Sequence, residues 1–194
     1  MTKHPARRRA QRGVALIEVL VTLVILLIGL LGLAGVAARA NVTELESYQR
    51  VQALLLAQDM SDRLNANRKV ATCYSAAASG VQVGTGYSGT PACGAGNAQQ
   101  NAQAVADLTQ WDTALKGSAE ISGTSKVGAM IGAVGCVDLI DAVNNVYLIS
   151  VSWQGMANTV APTVVAGATP CGQGLYSDER MHRLVTTTVQ IPVL

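Results

Sequence analysis

Three groups of side chains raise a chemical question by their type and spacing. The first is Glu18, a carboxylate inside the run Val14 to Ala38, where the only other strongly polar side chain is Thr22. An acid at bilayer depth costs about 2.5–3.5 kcal/mol even on the lenient insertion scale, so it asks for a partner. The second group is Cys73, Cys93, Cys136 and Cys171, all beyond the apolar run. Zinc sites draw on four ligands at short paired spacings, and this set has no CxxC. Two disulfides in an oxidising compartment are the expected chemistry instead. Three pairings are open. Sequential pairing, Cys73 with Cys93 and Cys136 with Cys171, closes the shortest loops and is the one expected, each closure adding roughly 3 kcal/mol in the chain-entropy model. The third group is "SDER" at Ser177 to Arg180 together with His182, the only histidine beyond the N-terminal tail. One histidine and scattered acids make no catalytic triad. "SDER" reads as a solvated turn, and His182 as a surface residue at the start of a strand. Neither an enzyme nor a metal or cofactor site is expected.

Two further signals dissolve on inspection. "GTGYSG" at Gly84 to Gly89 matches GxGxxG, but a dinucleotide site needs a helix straight after it, and "TPACGAGN" follows. The formal charge of +2 belongs to the first thirteen residues, which hold Lys3, Arg7, Arg8, Arg9 and Arg12 and no acid. Beyond Gly13 nine Lys and Arg stand against twelve Asp and Glu, a net charge of −3. A mildly acidic chain with no basic stripe is not expected to bind nucleic acid directly.

The element that carries Glu18 comes next. About 25 residues at about 1.5 Å each exceed the ~30 Å hydrocarbon core of a bilayer. A cleaved secretory signal is one reading, since "ARA" at Ala38 to Ala40 mimics its cleavage pattern. Signal cores are only about 7–15 residues and need no acid, however. A single-pass anchor is the second reading. Positive-inside bias then keeps the Arg-rich tail in the cytoplasm and puts the cysteine-bearing part outside, but Glu18 is left unexplained.

The junction as a whole offers a third reading. "RG|VALIEVLVTLVILLIGLLGL" resembles the class III signal of type IV pilins and pseudopilins: a short basic leader ending in Gly, then a hydrophobic residue, then Glu at the fifth mature position. The resemblance places the last leader residue at Gly13, the new N-terminus at Val14 and the glutamate at Glu18. It differs in one respect, since Val14 stands where Phe is commonest. It implies cleavage after Gly13 by a membrane-embedded prepilin peptidase and N-methylation of Val14. Cleavage also creates an α-amino cation, and that supplies Glu18 with a partner. The two groups lie about a turn apart in one helix, or meet between neighbouring subunits of a filament. In a low-dielectric core such a pair attracts strongly while a lone carboxylate is penalised.

Helical periodicity continues past the membrane edge. Val42, Leu45, Tyr48, Val51, Leu54, Ala57, Met60 and Leu64 recur every three to four positions, with Glu44, Glu46, Gln49, Arg50, Gln52, Asp59 and Asp62 on the other faces. No proline interrupts Val14 to Asn67, so a single helix of roughly 80 Å is expected, its second half laying an apolar stripe on a globular head. Gly29, Gly32 and Gly35 each weaken the helix by about 1 kcal/mol relative to Ala. They mark where it bends or loosens, or they permit close helix packing, and the sequence leaves both open. Residues 70–97 read as a Gly/Ser-rich loop stapled by its cysteines. Val105, Leu108, Trp111 and Leu115 form one face of a helix ended by Gly117. Three β-rich runs follow, Met130 to Ile140, Asn145 to Trp153 and Arg183 to Val193, the first two joined by a "DAVNN" turn. The second run alternates as a one-sided strand, with Ser150 and Ser152 on its outer face. Gln154 to Arg180 is a long connection of the kind that is usually functional or mobile.

The expected fold class is therefore α+β and pilin-like: a long N-terminal helix, half transmembrane and half amphipathic, packed on a C-terminal antiparallel sheet with disulfide-tied loops. The expected divisions are leader 1–13, hydrophobic assembly half 14–39, amphipathic half 40–67, loop and short-helix region 68–129 and sheet 130–194. "AQDMSDRLNANR", "DLTQWDTAL", "GCVDLI…YLISVSWQG" and "RLVTTTVQI" narrow the resemblance to the PilV family of minor pilins, the type IV pilus modification proteins. That resemblance implies a Gram-negative inner-membrane subunit with a periplasmic head that primes or enters pili. Its partners would be the prepilin peptidase, other minor pilins, the major pilin, the inner-membrane assembly platform and the lipid bilayer. Twitching, adhesion or DNA uptake would follow downstream. A type II secretion pseudopilin or a tip-located binding subunit are the alternatives.

Overall fold

The structure is a computed structural model that describes residues 14–76, 79–89, 91–117, 121–122, 125–126 and 130–192. Helix α1 runs over Val14–Ala66. The chain divides into two units, Met1–Thr43 and Glu44–Leu194. In the first, the described residues are the helical stretch up to Thr43, and nearly every large apolar side chain from Leu16 to Val36 is solvent-facing.

The second unit holds the rest of α1, a 3-10 turn at Arg68–Val70, α2 (Ala71–Ser75), β1 (Val81–Gly84) and α3 (Ala98–Leu115). It continues with the short pair β2 (Ile121–Ser122) and β3 (Ser125–Lys126), then β4 (Ile131–Asp141), β5 (Val146–Gln154), a 3-10 turn at Glu179–Met181 and β6 (His182–Gln190). The main sheet is antiparallel throughout, in the order β1-β4-β5-β6. This is the pilin-like α+β fold, a long N-terminal helix on a four-stranded antiparallel sheet with two disulfides.

Local chemistry explains most element ends. Helix α3 starts at a capping box in which the Asn97 side chain accepts from the Gln100 N–H at 2.9 Å and the Gln100 side chain accepts from the Asn97 N–H at 3.1 Å. It stops before Gly117, whose φ of 78° lies in the left-handed region. The β4–β5 hairpin turns on Asp141, whose carboxylate accepts from the N–H groups of Val143 and Asn144, and on Asn145 at φ 51°. Strand β6 ends at Gln190, with Pro192 unable to donate to a ladder.

The core lies between the sheet and the helices. Ala53, Ala57, Met60 and Leu64 of α1 meet Leu108, Trp111 and Leu115 of α3 and the inward residues Tyr147, Ile149, Val151 and Trp153 of β5. Each large aliphatic side chain buried there contributes about 1.5–3 kcal/mol. Gly135 in β4 permits a close contact between the layers, because a Cβ there would stand 2.3 Å from the Trp111 ring. The Trp111 indole N–H in turn donates to the Leu56 carbonyl at 2.9 Å, fastening α3 to α1.

Three sequence expectations change. The apolar stripe of α1 is not the one that packs. Ala57, Met60 and Leu64 are buried, but Val42, Leu45, Tyr48, Val51 and Leu54 are exposed, and Gln49, Ala53 and Ser61 take the inner face. Several exposed apolar residues with small alanines beneath them defeat a reading by side-chain size alone. Strand β5 is not one-sided: Leu148, Ser150 and Ser152 are buried too, because the 155–180 connection folds over the outer face. And the 70–97 stretch contains a strand, β1, paired with β4 from Val81↔Val137 to Gly84↔Val134. Four residues, two of them glycine and glutamine, are too few to show a period.

Candidate assembly segment

The chemistry-bearing segment is the N-terminal part of α1. Residues 1–13 lie outside the described residues, so the expected cleavage junction after Gly13 has no described geometry. Val14 is the first helical residue. Glu18 sits four residues on, about 6 Å along the axis at about 1.5 Å per residue, and it is exposed. Around it the surface is apolar: Leu16, Ile17, Val19 and Leu20 are all more than half exposed. Thr22 satisfies its hydroxyl within the helix by donating to the Val19 carbonyl at 2.8 Å, which leaves Glu18 as the one charged group on this surface up to Arg39. The backbone stays helical through Gly29, Gly32 and Gly35, and a Cβ at any of the three would meet nothing within 4 Å. Among the described residues no contact therefore requires glycine at these positions.

Among the described residues α1 is the one helix long and apolar enough to cross a membrane, with a mean hydropathy of 2.9 in its most apolar window and none of that window buried. A soluble domain rarely leaves so large an apolar surface uncovered.

The cysteines all lie in the second unit. Cys73 bonds Cys93 and Cys136 bonds Cys171. The first bridge ties α2 to the loop before α3. The second ties β4 to the 155–180 connection, which Asp138 also grips: its Oδ1 accepts from the Thr169 hydroxyl at 2.8 Å and the Thr169 N–H at 3.1 Å. Asp138 is buried, and desolvation raises its pKa above the usual aspartate range against the pull of those two hydrogen bonds.

Two polar clusters in the head had no signal in the sequence. In the first, Glu46 Oε1 accepts from the Met156 N–H at 2.9 Å, the Ala157 N–H at 3.0 Å and Arg183 Nη2 at 2.9 Å. Arg183 also donates to the Ala157 carbonyl at 2.5 Å and the Thr159 hydroxyl at 2.7 Å. The partners are up to 137 residues apart in the chain, so no local spacing could announce them. The second is Asp107, buried on α3, which accepts from the Tyr74 hydroxyl at 2.5 Å, Arg63 at 3.1 Å and Gln103 at 2.9 Å. It joins α1, α2 and α3 by charge-assisted bonds.

His182 is a correction. It is 4% exposed rather than a surface residue, with Nδ1 2.9 Å from Glu179 Oε2 and the ring 5.1 Å from that of Tyr176. "SDER" is likewise more than a solvated turn. Asp178 caps the 3-10 turn by accepting from the Arg180 N–H at 2.9 Å, and Glu179 accepts from the Gly174 N–H at 2.7 Å. These contacts hold the long connection in shape. "GTGYSG" begins at the end of β1 and is followed by residues 90–97, of which the described ones are not helical.

In α1 an uncovered apolar stretch with one acid near its start leads into the α+β second unit, and its length and composition suffice to cross a membrane. The family model for the prokaryotic N-terminal methylation motif matches residues 8–34, spanning the basic tail, the junction and the helix as far as Ala34. That match supports a place in the type IV pilin-like superfamily and points to a structural protein. It implies processing by a prepilin peptidase and assembly with other pilins, and together with the apolar helix it fits a membrane-anchored pilin. No curated protein and no solved structure matches the chain significantly.

Proposed function

We propose that this chain is a minor pilin of the PilV type, which enters or primes type IV pili and performs no catalysis. The observation that carries the reading is the methylation motif over residues 8–34, leading into a helical stretch whose uncovered apolar surface from Leu16 to Ala38 carries one charge, Glu18. In this scheme the prepilin peptidase cuts after Gly13 and methylates Val14. The subunit waits in the inner membrane with its head in the periplasm, where the two disulfides form. It then leaves the bilayer for a filament through the assembly platform, beside the major pilin and other minor pilins. Glu18 acts as the register device. Its carboxylate is neutralised by the new amine of Val14, in the same chain or in the neighbouring subunit, and only a correctly seated subunit brings the two together.

Mass spectrometry of the mature chain is expected to find N-methylated Val14 at its N-terminus. A chain that begins at Asn41 would mean an ordinary signal peptide and would overturn the scheme. Glu18→Ala is expected to be cleaved normally yet to fall at least about tenfold in sheared pili, and normal incorporation would sink the register role. Deletion of the gene separates the related readings. Loss of surface pili supports the minor pilin, pili that form without adhering support a tip-located binding subunit, and a secretion defect with intact pili supports a pseudopilin.

A further inference from the structure

The outer face of the sheet and the connection that crosses it bound a small, partly open pocket. Leu148 and Ser150 of β5 and Leu184 and Thr186 of β6 line one side, and the connection from Pro162 to Gln173 lines the other. Glu179 and His182 complete it. His182 is 4% exposed, yet its Nε2 is buried and has no hydrogen-bond partner among the described residues. A buried ring nitrogen left unpaired is uncommon and asks for one. The other nitrogen fixes its role. Nδ1 stands 2.9 Å from Glu179 Oε2, and the Gly174 N–H, then His182, hold that carboxyl below the usual glutamate range. A carboxylate only accepts, so the neutral ring carries its proton on Nδ1 and offers a lone pair at Nε2. Among the described residues no lysine or arginine lines the pocket, and His182 is the one ion-pair partner of Glu179. The free space of about 30 Å³ suits a group the size of one water. A water there would pair Nε2 but set no charge opposite Glu179. A primary ammonium is nearly as small, carries that charge and donates three hydrogen bonds.

We propose that this pocket binds a primary ammonium group on an alkyl stem, its head on His182 Nε2 and the Glu179 carboxylate and its stem along Val164, Val165 and Leu184. The hydroxyl oxygens of Ser150 and Thr186 are available to the third donor. Val164 and Val165 are partly exposed, which opens a way out for the stem. An anion would meet the Glu179 carboxylate. A quaternary ammonium has no N–H to give Nε2 and favours the faces of Trp, Tyr or Phe, none of which lines the pocket. The inference goes beyond the assembly role and does not depend on it.

The test uses the full chain in a nonionic detergent near neutral pH, titrated with n-butylammonium by isothermal calorimetry. Saturable binding is expected, together with a saturable shift of the His182 Nε2 resonance in nitrogen NMR. The neutral n-butanol and the bulky butyltrimethylammonium are each expected to bind at least about tenfold more weakly, for want of charge-assisted N–H donors. Nα-acetyl-lysine amide distinguishes the source: if it also saturates, the stem belongs to a lysine side chain, and if it does not, to a free alkylamine. Glu179→Gln, which keeps an acceptor for Gly174 and His182, is expected to weaken binding at least about tenfold through the lost charge. His182→Phe, which keeps an aromatic ring in place, is expected to weaken it about threefold through the lost acceptor. Circular dichroism checks that both variants keep the fold. Failure of butylammonium to saturate, equal affinity for butanol, which would mean a water site only, or unchanged affinity in Glu179→Gln would overturn the proposal.

Discussion

Asp138 illustrates how a single side chain in the head carries opposing demands. Its Oδ1 holds Thr169 by two hydrogen bonds, while its Oδ2 is buried with no partner among the described residues. Because its pKa is raised in the folded state, the folded protein binds this proton more tightly than the unfolded chain does. The stability linked to it is fully present below the ordinary aspartate range and is lost as pH rises through the raised value. Asp138→Asn keeps an acceptor for Thr169 and removes the buried charge. At pH 7 the variant is expected to match or exceed the parent by up to about 2 kcal/mol in urea unfolding, within the span of ordinary point changes. The advantage should shrink at pH 4. A variant that is worse at pH 7 than at pH 4, relative to the parent, would show that the Thr169 contacts outweigh the buried charge. In the proposed scheme Glu18 poses a related problem nearer the N-terminus, with a partner that cleavage would create.

At the scale of elements, the 155–180 connection decides what the sheet is. Cys171, Thr169 and Tyr176 hold it across the outer face of β4 and β5: Cys171 by the bond to Cys136, Thr169 through Asp138, and Tyr176 through its hydroxyl 3.0 Å from that of Ser152. The Glu46 carboxylate secures its first residues from α1. The Cys136–Cys171 bridge closes 35 residues, which the chain-entropy model converts to roughly 4 kcal/mol. Replacing both cysteines with serine is therefore expected to lower stability by about 2–4 kcal/mol and to admit a protease to the 155–180 segment before global unfolding. Limited proteolysis followed by mass spectrometry reads this out, and cleavage sites unchanged from the parent would mean that Asp138 and Glu46 suffice to hold the connection.

For the whole chain, the two units make different demands on solvent. The first exposes an apolar surface from Leu16 to Ala38 broken by Glu18 and Thr22, while the second has its own core and both disulfides. A chain that begins at Glu44 is expected to stay in aqueous solution and to unfold in a single cooperative transition followed by circular dichroism. The full mature chain should sediment with membranes and need detergent. Leu45, Val51, Leu54 and Leu55 remain exposed on the shortened chain, so weak self-association that rises with concentration is expected in sedimentation equilibrium. Insolubility at micromolar concentration would show that the head relies on the first unit for its fold.

The sequence alone determined what depends on local pattern. The apolar run with its acid at the fifth position after Gly13, the helix from Val14, the Asp141–Asn145 turn and three of the four strands of the main sheet all follow from residue type and period, whereas the Asn97 cap of α3 was seen only in the structure. Tertiary structure decided whatever depends on residues far apart in the chain. It chose Gln49 and Ala53 rather than Val51 and Leu54 for the inner face of α1, because that face is fixed by which elements pack on it and not by side-chain size. It buried Ser150, Ser152 and His182 beneath a connection that sequence could only describe as long. It recruited Val81–Gly84 as an edge strand because β4 offered an open ladder, and it brought Glu46 to Arg183 across 137 residues. A period can be read along a chain, but which face is covered depends on what arrives to cover it.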